Sequence, residues 1–256
     1  MANGEHDFDT EWRAAPEPLR RALTLAHESL AAGGLAVGAV LTDADGNPVA
    51  EGRNEAYEDG PGTGPLRGTP LAHAEMNALG AARTGRDLGT ATLWSTQEPC
   101  SMCAAAADFT GVGRVRYLAP DPWALSSDNG SGAGADPGRT HWLLVANAMF
   151  LRSVAAASDG PGEPRILTHH RAVEPETAAF HDSLPAGLPT AASPEDWLRP
   201  HWSRLAELSA ARELRTLSDT RGLTRDQGVV ADTCRTGVPP RVPAPAPGDG
   251  VPSVQA

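Results

Sequence analysis

The chain has 256 residues, 27 of them Gly and 23 Pro, so about a fifth of its positions punctuate the backbone, and its 40 % apolar content suits one core with appendages. No apolar run approaches the roughly 18 residues of a membrane span, and the opening MANGEHDFDTEW is acidic and polar, without the architecture of a secretory signal. A formal net charge of -11, with 21 Arg and no Lys, offers no long-range attraction to a polyanion, and three cysteines cannot build a disulfide framework, which points to a reducing cytoplasm.

Residues 1–17 read as an N-terminal arm. From Pro18 to Leu35 the apolar residues Leu19, Ala22, Leu23, Ala26 and Leu30 share one helical face, and Gly33-Gly34 ends that helix. The run Leu35 to Leu41 then predicts a strand, Asp43-Ala44-Asp45-Gly46-Asn47 a hairpin turn, and Val49-Ala50 the returning strand. Residues 56–70 are rich in Gly and Pro and read as a loop. A helix is expected from about Ala72 to Arg83, a buried strand over ATLWST, a helix opening at Cys100 and a strand from Gly113 to Leu118. Strands alternating with helices predict an α/β fold with three layers and a core over residues 18–125.

Beyond that core, SSDNGSGAGADPG has the composition of a flexible insertion over 126–139. THWLLVANAMFLRSVAAA is helical, and Ser193-Pro194-Glu195-Asp196 is a helix start, with Leu198, Trp202, Leu205 and Leu208 on the apolar face that follows. Residues 140–235 are thus expected to form a helix-rich extension packing on the core. The segment 236–256 is Pro-rich with little apolar bulk and reads as a disordered tail.

The chemistry concentrates in His73-Ala74-Glu75 and in Pro99-Cys100-Ser101-Met102-Cys103. Two thiolates three residues apart at a helix start point the same way, and an imidazole from a second helix start makes three protein ligands, leaving tetrahedral zinc a fourth position for water. Both helix N-termini favour negative charge at the metal. Glu75, two residues after the ligand histidine, can sit beside that water and serve as general base and acid. A lone Cys-x-x-Cys would leave redox or structural zinc open; the upstream His-x-Glu argues against both.

GLAVGAVLTDADGNPVAEGRN, LAHAEMNAL and TLWSTQEPCSMCAAA resemble the cytidine and deoxycytidylate deaminase superfamily, closest to its tRNA adenosine, guanine and cytosine deaminases. The resemblance covers residues 18–122. It implies a cytidine deaminase-like mixed sheet in an α/β/α sandwich, one Zn2+ per chain on His73, Cys100 and Cys103, and Glu75 as the catalytic proton shuttle. By position it also implies that Asn54 and the backbone amide of Ala74 bind the base, that Glu98 shapes the pocket, and that the protein is a homodimer. Asp108 follows Ala104 to Ala107, where the family often has a small-residue run. Its carboxylate either binds an amino group of the substrate or rests on a solvated helix face. Gln97 stands where an apolar residue is more usual, and Trp123 is a further candidate for the pocket.

The expected substrate is a small nucleobase or nucleoside of guanine or cytosine type. The rival within the family is a tRNA adenosine deaminase, which VGAVLTDADG and EPCSMC resemble locally. Charge argues against nucleic acid: residues 1–125 hold 9 Arg against 17 acids and the remainder 12 against 15. A rival of another class is a catalytically silent, zinc-stabilised scaffold for a protein partner, which would have no need of Glu75. His141, His169, His170, His181 and His201 lack ligand partners at suitable spacing and read as surface or packing residues, as does Asn77 on its helix.

Overall fold

A computed structural model describes residues 7–58, 64–121, 134–135, 140–158 and 161–230. Trp123, Cys234, the tail 236–256 and all of the insertion 126–139 except Gly134 and Ala135 lie outside these residues. The chain divides into a unit over Met1–Leu214 and a second over Arg215–Ala256, whose described part is helix continuing to Val230.

The first unit is built on a mixed sheet. Strands β1 (Gly38–Thr42) and β2 (Pro48–Arg53) form the expected hairpin, closed by a turn in which the Asp43 carboxylate accepts the backbone N–H groups of Asp45 and Asn47 and Gly46 takes φ +86°. Strand β1 pairs antiparallel with β3 (Thr92–Gln97), and β3 pairs parallel with β4 (Arg114–Ala119), giving the order β2-β1-β3-β4-β5. The edge pair β5 (Gly134–Ala135), parallel to β4, places strand inside the segment expected to be a flexible insertion.

Helix α1 (Phe8–Ala14) precedes α2 (Glu17–Ala31), which covers one face of the sheet; α3 (Ala74–Ala81) and α4 (Ser101–Thr110) cover the other. Strand alternation divides the layers: Val40 packs with Ala22 and Leu25 of α2, whereas Ala39, Leu41 and Leu93 pack with Ala74, Ala78 and Ala107. Two glycines allow these close approaches. A Cβ on Gly38 would stand 2.1 Å from the Ala22 carbonyl oxygen, and one on Gly52 would stand 2.4 Å from that of Ala74. Chain beyond residue 140 adds α5 (Thr140–Ala157), α6 (Arg165–Val173), α7 (Pro175–Ser183), α8 (Pro194–Leu198) and α9 (Trp202–Val230). Ser193 caps α8 as its sequence suggests, accepting the N–H of Asp196.

The arm before Pro18 is more than an arm. Phe8 and Trp12 stack at 5.9 Å, and Phe8 meets Trp202 edge-on at 5.5 Å, so α1 buries its apolar face in the same cluster as Leu19, Leu23, Trp142, Phe180 and Leu205. Helix α5 contributes to both clusters: Leu144, Val145 and Met149 join that one, while Phe150 and Leu151 join the cluster under α3 and α4. Among the described residues no helix is long and apolar enough to cross a membrane.

Candidate active site

Two helix starts and one strand end build the site. His73 occupies the N-cap of α3 and Cys100 that of α4, and Cys103 follows on the first turn of α4. These positions bring Cys100 Sγ to 3.6 Å and Cys103 Sγ to 3.5 Å from His73 Nδ1, with the three donor atoms all within 4.8 Å of one another. A tetrahedral zinc with bonds of about 2.3 Å to sulfur and about 2.0–2.1 Å to nitrogen holds such ligands about 3.6 Å apart, so the donor set fits that ion. Soft thiolates with an imidazole are also the ligand chemistry that zinc favours.

Glu75 lies in the first turn of α3 and is 3 % exposed. The Ser95 hydroxyl of β3 donates to its Oε1 at 2.8 Å, and Cys103 Sγ lies 3.5 Å from its Oε2. Burial pushes the Glu75 carboxyl above its ordinary range, opposed by its own backbone N–H, Ser95 and His73. Hydrogen bonding to Cys103 and His73 holds the Cys100 thiol down, at about 3, while the Cys100 sulfur raises the imidazole of His73. Cys103, fully buried, is pushed up by its bond to Cys100 and by burial. The protein's own groups therefore hold one ready thiolate and one carboxyl poised to take up or release a proton.

A cavity of about 160 Å³ opens on this cluster, lined by Leu35, Val37, Asn54, His73, Glu75, Gln97, Glu98, Cys100, Asp121 and Phe150. Four of the residues singled out in the sequence, Asn54, His73, Glu75 and Cys100, thus meet at one wall, with Glu98 beside them. The side-chain oxygen of Asn54 accepts the Ala56 N–H at 3.1 Å, which orients its NH2 end as the remaining donor, and its backbone is pinned by Val37 O and the Ser29 hydroxyl. Ala74 is fully buried at the first position of α3, where no carbonyl of the helix can accept its N–H. Glu98 also braces the chain around it, since its carboxylate accepts the N–H of Asp121 at 3.1 Å and its own N–H donates to Ala119 O at 2.8 Å.

Asp108 does not join them. It is exposed on α4, whose buried positions are Cys103, Ala104 and Ala107, and it is not among the residues lining the cavity, so the solvated-face reading fits its position. Asn77 is a tie between elements, its NH2 donating to Arg53 O at 2.9 Å. His170 and His181 are buried packing residues, and His141 stacks on Trp202 at 5.0 Å.

Three contributions to the site come from residues to which the sequence motifs assign no role. Ser95 sits two residues before Gln97 on the same strand face, an alternation visible once β3 is placed. Leu35 and Val37 belong to a run that reads only as strand. Phe150 lies some fifty residues beyond the motif and reaches the cavity because α5 is pinned to the irregular segment just ahead of β1, where Ser153 Oγ accepts the Ala36 N–H at 3.2 Å. No local signal marks it.

Residues 15–119 match the family model described as the cytidine and deoxycytidylate deaminase zinc-binding region. Among curated proteins, the chain is similar to a tRNA(Ile)-lysidine synthase of Deinococcus radiodurans, 39 % identical over 126 residues that make up 47 % of this chain and 19 % of that protein. It is similar to a tRNA-specific adenosine deaminase of Haemophilus influenzae, 37 % identical over 40 % of this chain and 57 % of that one. It is also similar to a probable cytosine deaminase of Schizosaccharomyces pombe, 31 % identical over 43 % of this chain and 60 % of that one. The chain thus spans less than two thirds of each of these relatives.

Proposed function

We propose that this chain, which belongs to the cytidine and deoxycytidylate deaminase family through its zinc-binding domain, is a hydrolytic deaminase releasing ammonia from an amino-substituted nucleobase or nucleoside. The observation that carries this reading is one cavity bounded by His73, Cys100, Glu75 and Asn54, with a buried carboxyl directly beside a zinc-type donor set. Zinc held by His73, Cys100 and Cys103 would supply a water acidic enough to act as nucleophile near neutral pH. Glu75 accepts the proton of that water and delivers it to the ring nitrogen beside the amine-bearing carbon. The water oxygen bonds to that carbon, the C–N bond breaks, and a second proton passing through Glu75 lets the amine leave as ammonia. Ser95 holds the carboxyl in place during both transfers. The Asn54 NH2 is a donor to acceptors on the ring, the Ala74 N–H is a second by family resemblance, and Leu35, Val37 and Phe150 give the ring apolar walls.

Size and charge support a small substrate. A cavity of about 160 Å³ suits a single base, being smaller than the roughly 300 Å³ and upward of drug-sized sites. A neighbouring cavity of about 370 Å³ shares Leu35 and Phe150 and offers room for a sugar. Glu98 and Asp121 line the catalytic cavity and no arginine is among its described lining residues, a poor setting for gripping phosphates. The domain plan that accompanies this reading is a zinc deaminase core over 18–125 and a helical extension over 140–235 that contributes a wall. The protein works as a homodimer, by family analogy, in a reducing cytoplasm that keeps its ligand thiols free.

Adenosine in tRNA is the second reading, favoured by the 37 % identity to a tRNA-specific adenosine deaminase. The two separate in one assay on the zinc-loaded protein. Ammonia release is measured from guanine, cytosine, adenine and their nucleosides, and adenosine-to-inosine conversion is measured in a tRNA anticodon stem-loop. The small-substrate reading expects turnover in the first set; inosine in the stem-loop with no ammonia from any free base or nucleoside would replace it.

A further inference from the structure

Gln97 closes β3, and strand alternation turns it to the same face as Ser95, the residue that holds Glu75. It is 4 % exposed and lines the catalytic cavity alongside His73, Glu75 and Asn54. Its backbone is engaged, with the N–H donating to Ser95 Oγ at 3.3 Å, yet Oε1 and Nε2 are both out of contact with solvent and without a hydrogen-bond partner among the described residues. Buried amides are nearly always paired, so one left unsatisfied at both ends just behind the wall of a cavity is a group that a bound molecule can complete once the amide turns about its terminal torsion, which is broad for Gln. The cavity's carbon surfaces, Leu35, Val37 and Phe150, have nothing to offer it.

We propose that Gln97 is a specificity-determining residue that reads a lactam edge, a ring N–H beside a ring carbonyl, on the substrate. An amide and a lactam both carry donor and acceptor on one trigonal carbon unit, so Oε1 accepts the ring N–H while Nε2 donates to the carbonyl oxygen, in two parallel bonds. Guanine has such an edge as base and as nucleoside, and cytosine has it as the free base, whose N1 carries hydrogen. Adenine held with its amine at the reacting position has C–H in place of the carbonyl and no hydrogen on the adjoining ring nitrogen, so it would leave the amide unpaired, and a site built around a polar pair discriminates strongly against a ring that lacks its partner. The inference rests on the deaminase reading for its choice of ring. Its test reads binding, so the two fail separately.

The experiment compares wild type with Gln97→Leu, which keeps the side-chain bulk and removes both polar atoms. The zinc-loaded proteins are titrated calorimetrically with hypoxanthine and 2-hydroxypyrimidine, which carry the lactam edge, and with purine and pyrimidine, which do not. Wild type is expected to bind each lactam ring roughly 10- to 100-fold tighter than its unsubstituted counterpart, as two neutral hydrogen bonds imply. The leucine variant is expected to bring that ratio close to one by weakening the lactam rings alone. Its melting temperature without ring is expected to equal or exceed that of wild type, since an unpaired buried amide has been replaced by carbon. Equal binding of the paired rings by wild type, absence of detectable binding of all four included, would overturn the proposal. So would a variant that weakens all rings alike or melts several degrees lower. Ammonia release from cytosine and guanine is followed on the same samples, and silence there with intact discrimination would count against the deaminase reading alone.

Discussion

Ser95 on β3 donates its hydroxyl to Oε1 of Glu75 on α3 at 2.8 Å, and this bond joins the sheet to the one buried carboxyl of the catalytic cavity. A hydroxyl donated to a carboxylate favours its ionised form, so Ser95 counteracts the upward push of burial on Glu75. Ser95→Ala is therefore expected to raise the Glu75 carboxyl further and to move the acid limb of the pH–rate profile to higher pH. The accompanying fall in kcat is about tenfold, in line with the loss of a positioned general base rather than of the base itself. A profile of unchanged shape would mean that Ser95 only fills space.

The two thiols of the site differ in reactivity. Cys100 is half-buried with its thiol held down, at about 3, by Cys103 and His73, whereas Cys103 is fully enclosed and pushed up. In protein stripped of zinc, iodoacetamide is expected to modify Cys100 first at neutral pH, and zinc is expected to protect both residues. Peptide mass spectrometry after a short pulse reads the order.

Glycine substitutions separate close approach from open helix. Gly52→Ala would drive its Cβ to 2.4 Å from the Ala74 carbonyl oxygen and 2.5 Å from the Ala78 nitrogen, pushing α3 and its ligand His73 off β2. A loss of about 1–3 kcal/mol is expected, with weaker zinc retention. Gly80→Ala, inside α3 with nothing within 4 Å of the added carbon, is expected to gain about 0.5–1 kcal/mol. Thermal melts of the two variants check both signs.

Much of this site is legible in the sequence because its chemistry is local. Ligands at helix starts, a hairpin turn and a buried strand each leave a signature within a few residues, and His73, Glu75 and Cys100 fall where those signatures place them, whereas Asn54 is marked by family resemblance alone. Asp108 is exposed beside the inward positions Cys103, Ala104 and Ala107, and periodicity alone, which puts it at the edge of that face, leaves its side of the helix open. Helices α1, α6 and α7 are harder to read because each is short and is held by distant partners. Phe8 and Trp12 look like isolated aromatics in an acidic arm until Trp202 and Trp142 are brought against them. Pro175 at the start of α7 and Asp7 at the N-cap of α1 are local signs, but neither says where its helix packs. The wall residue Phe150 depends on how α5 docks, a relationship with no mark in the sequence around it.

Stability is expected to fall on mild acidification. His27, His170 and His181 are buried, and burial lowers each below the ordinary histidine value of 6.5. The unfolded chain takes up protons near that value while the folded chain resists them, so protons favour unfolding. The contribution is fully present above about pH 6.5 and is lost as pH falls from there towards the lowered folded values. Melting temperatures measured between pH 7.5 and 5, at fixed zinc and about constant ionic strength, are expected to decline; a flat or rising curve would show these histidines to be open to water.

The most direct test of the central claim, that Glu75 beside the His73, Cys100 and Cys103 donors performs hydrolytic deamination, is ammonia release by zinc-loaded wild type and by Glu75→Gln, with zinc content measured on both. One zinc per chain is expected in each, and turnover of a guanine- or cytosine-type compound by wild type is expected to drop on the order of 10²- to 10⁴-fold in the variant. Comparable ammonia release by a variant that keeps its zinc would contradict that claim.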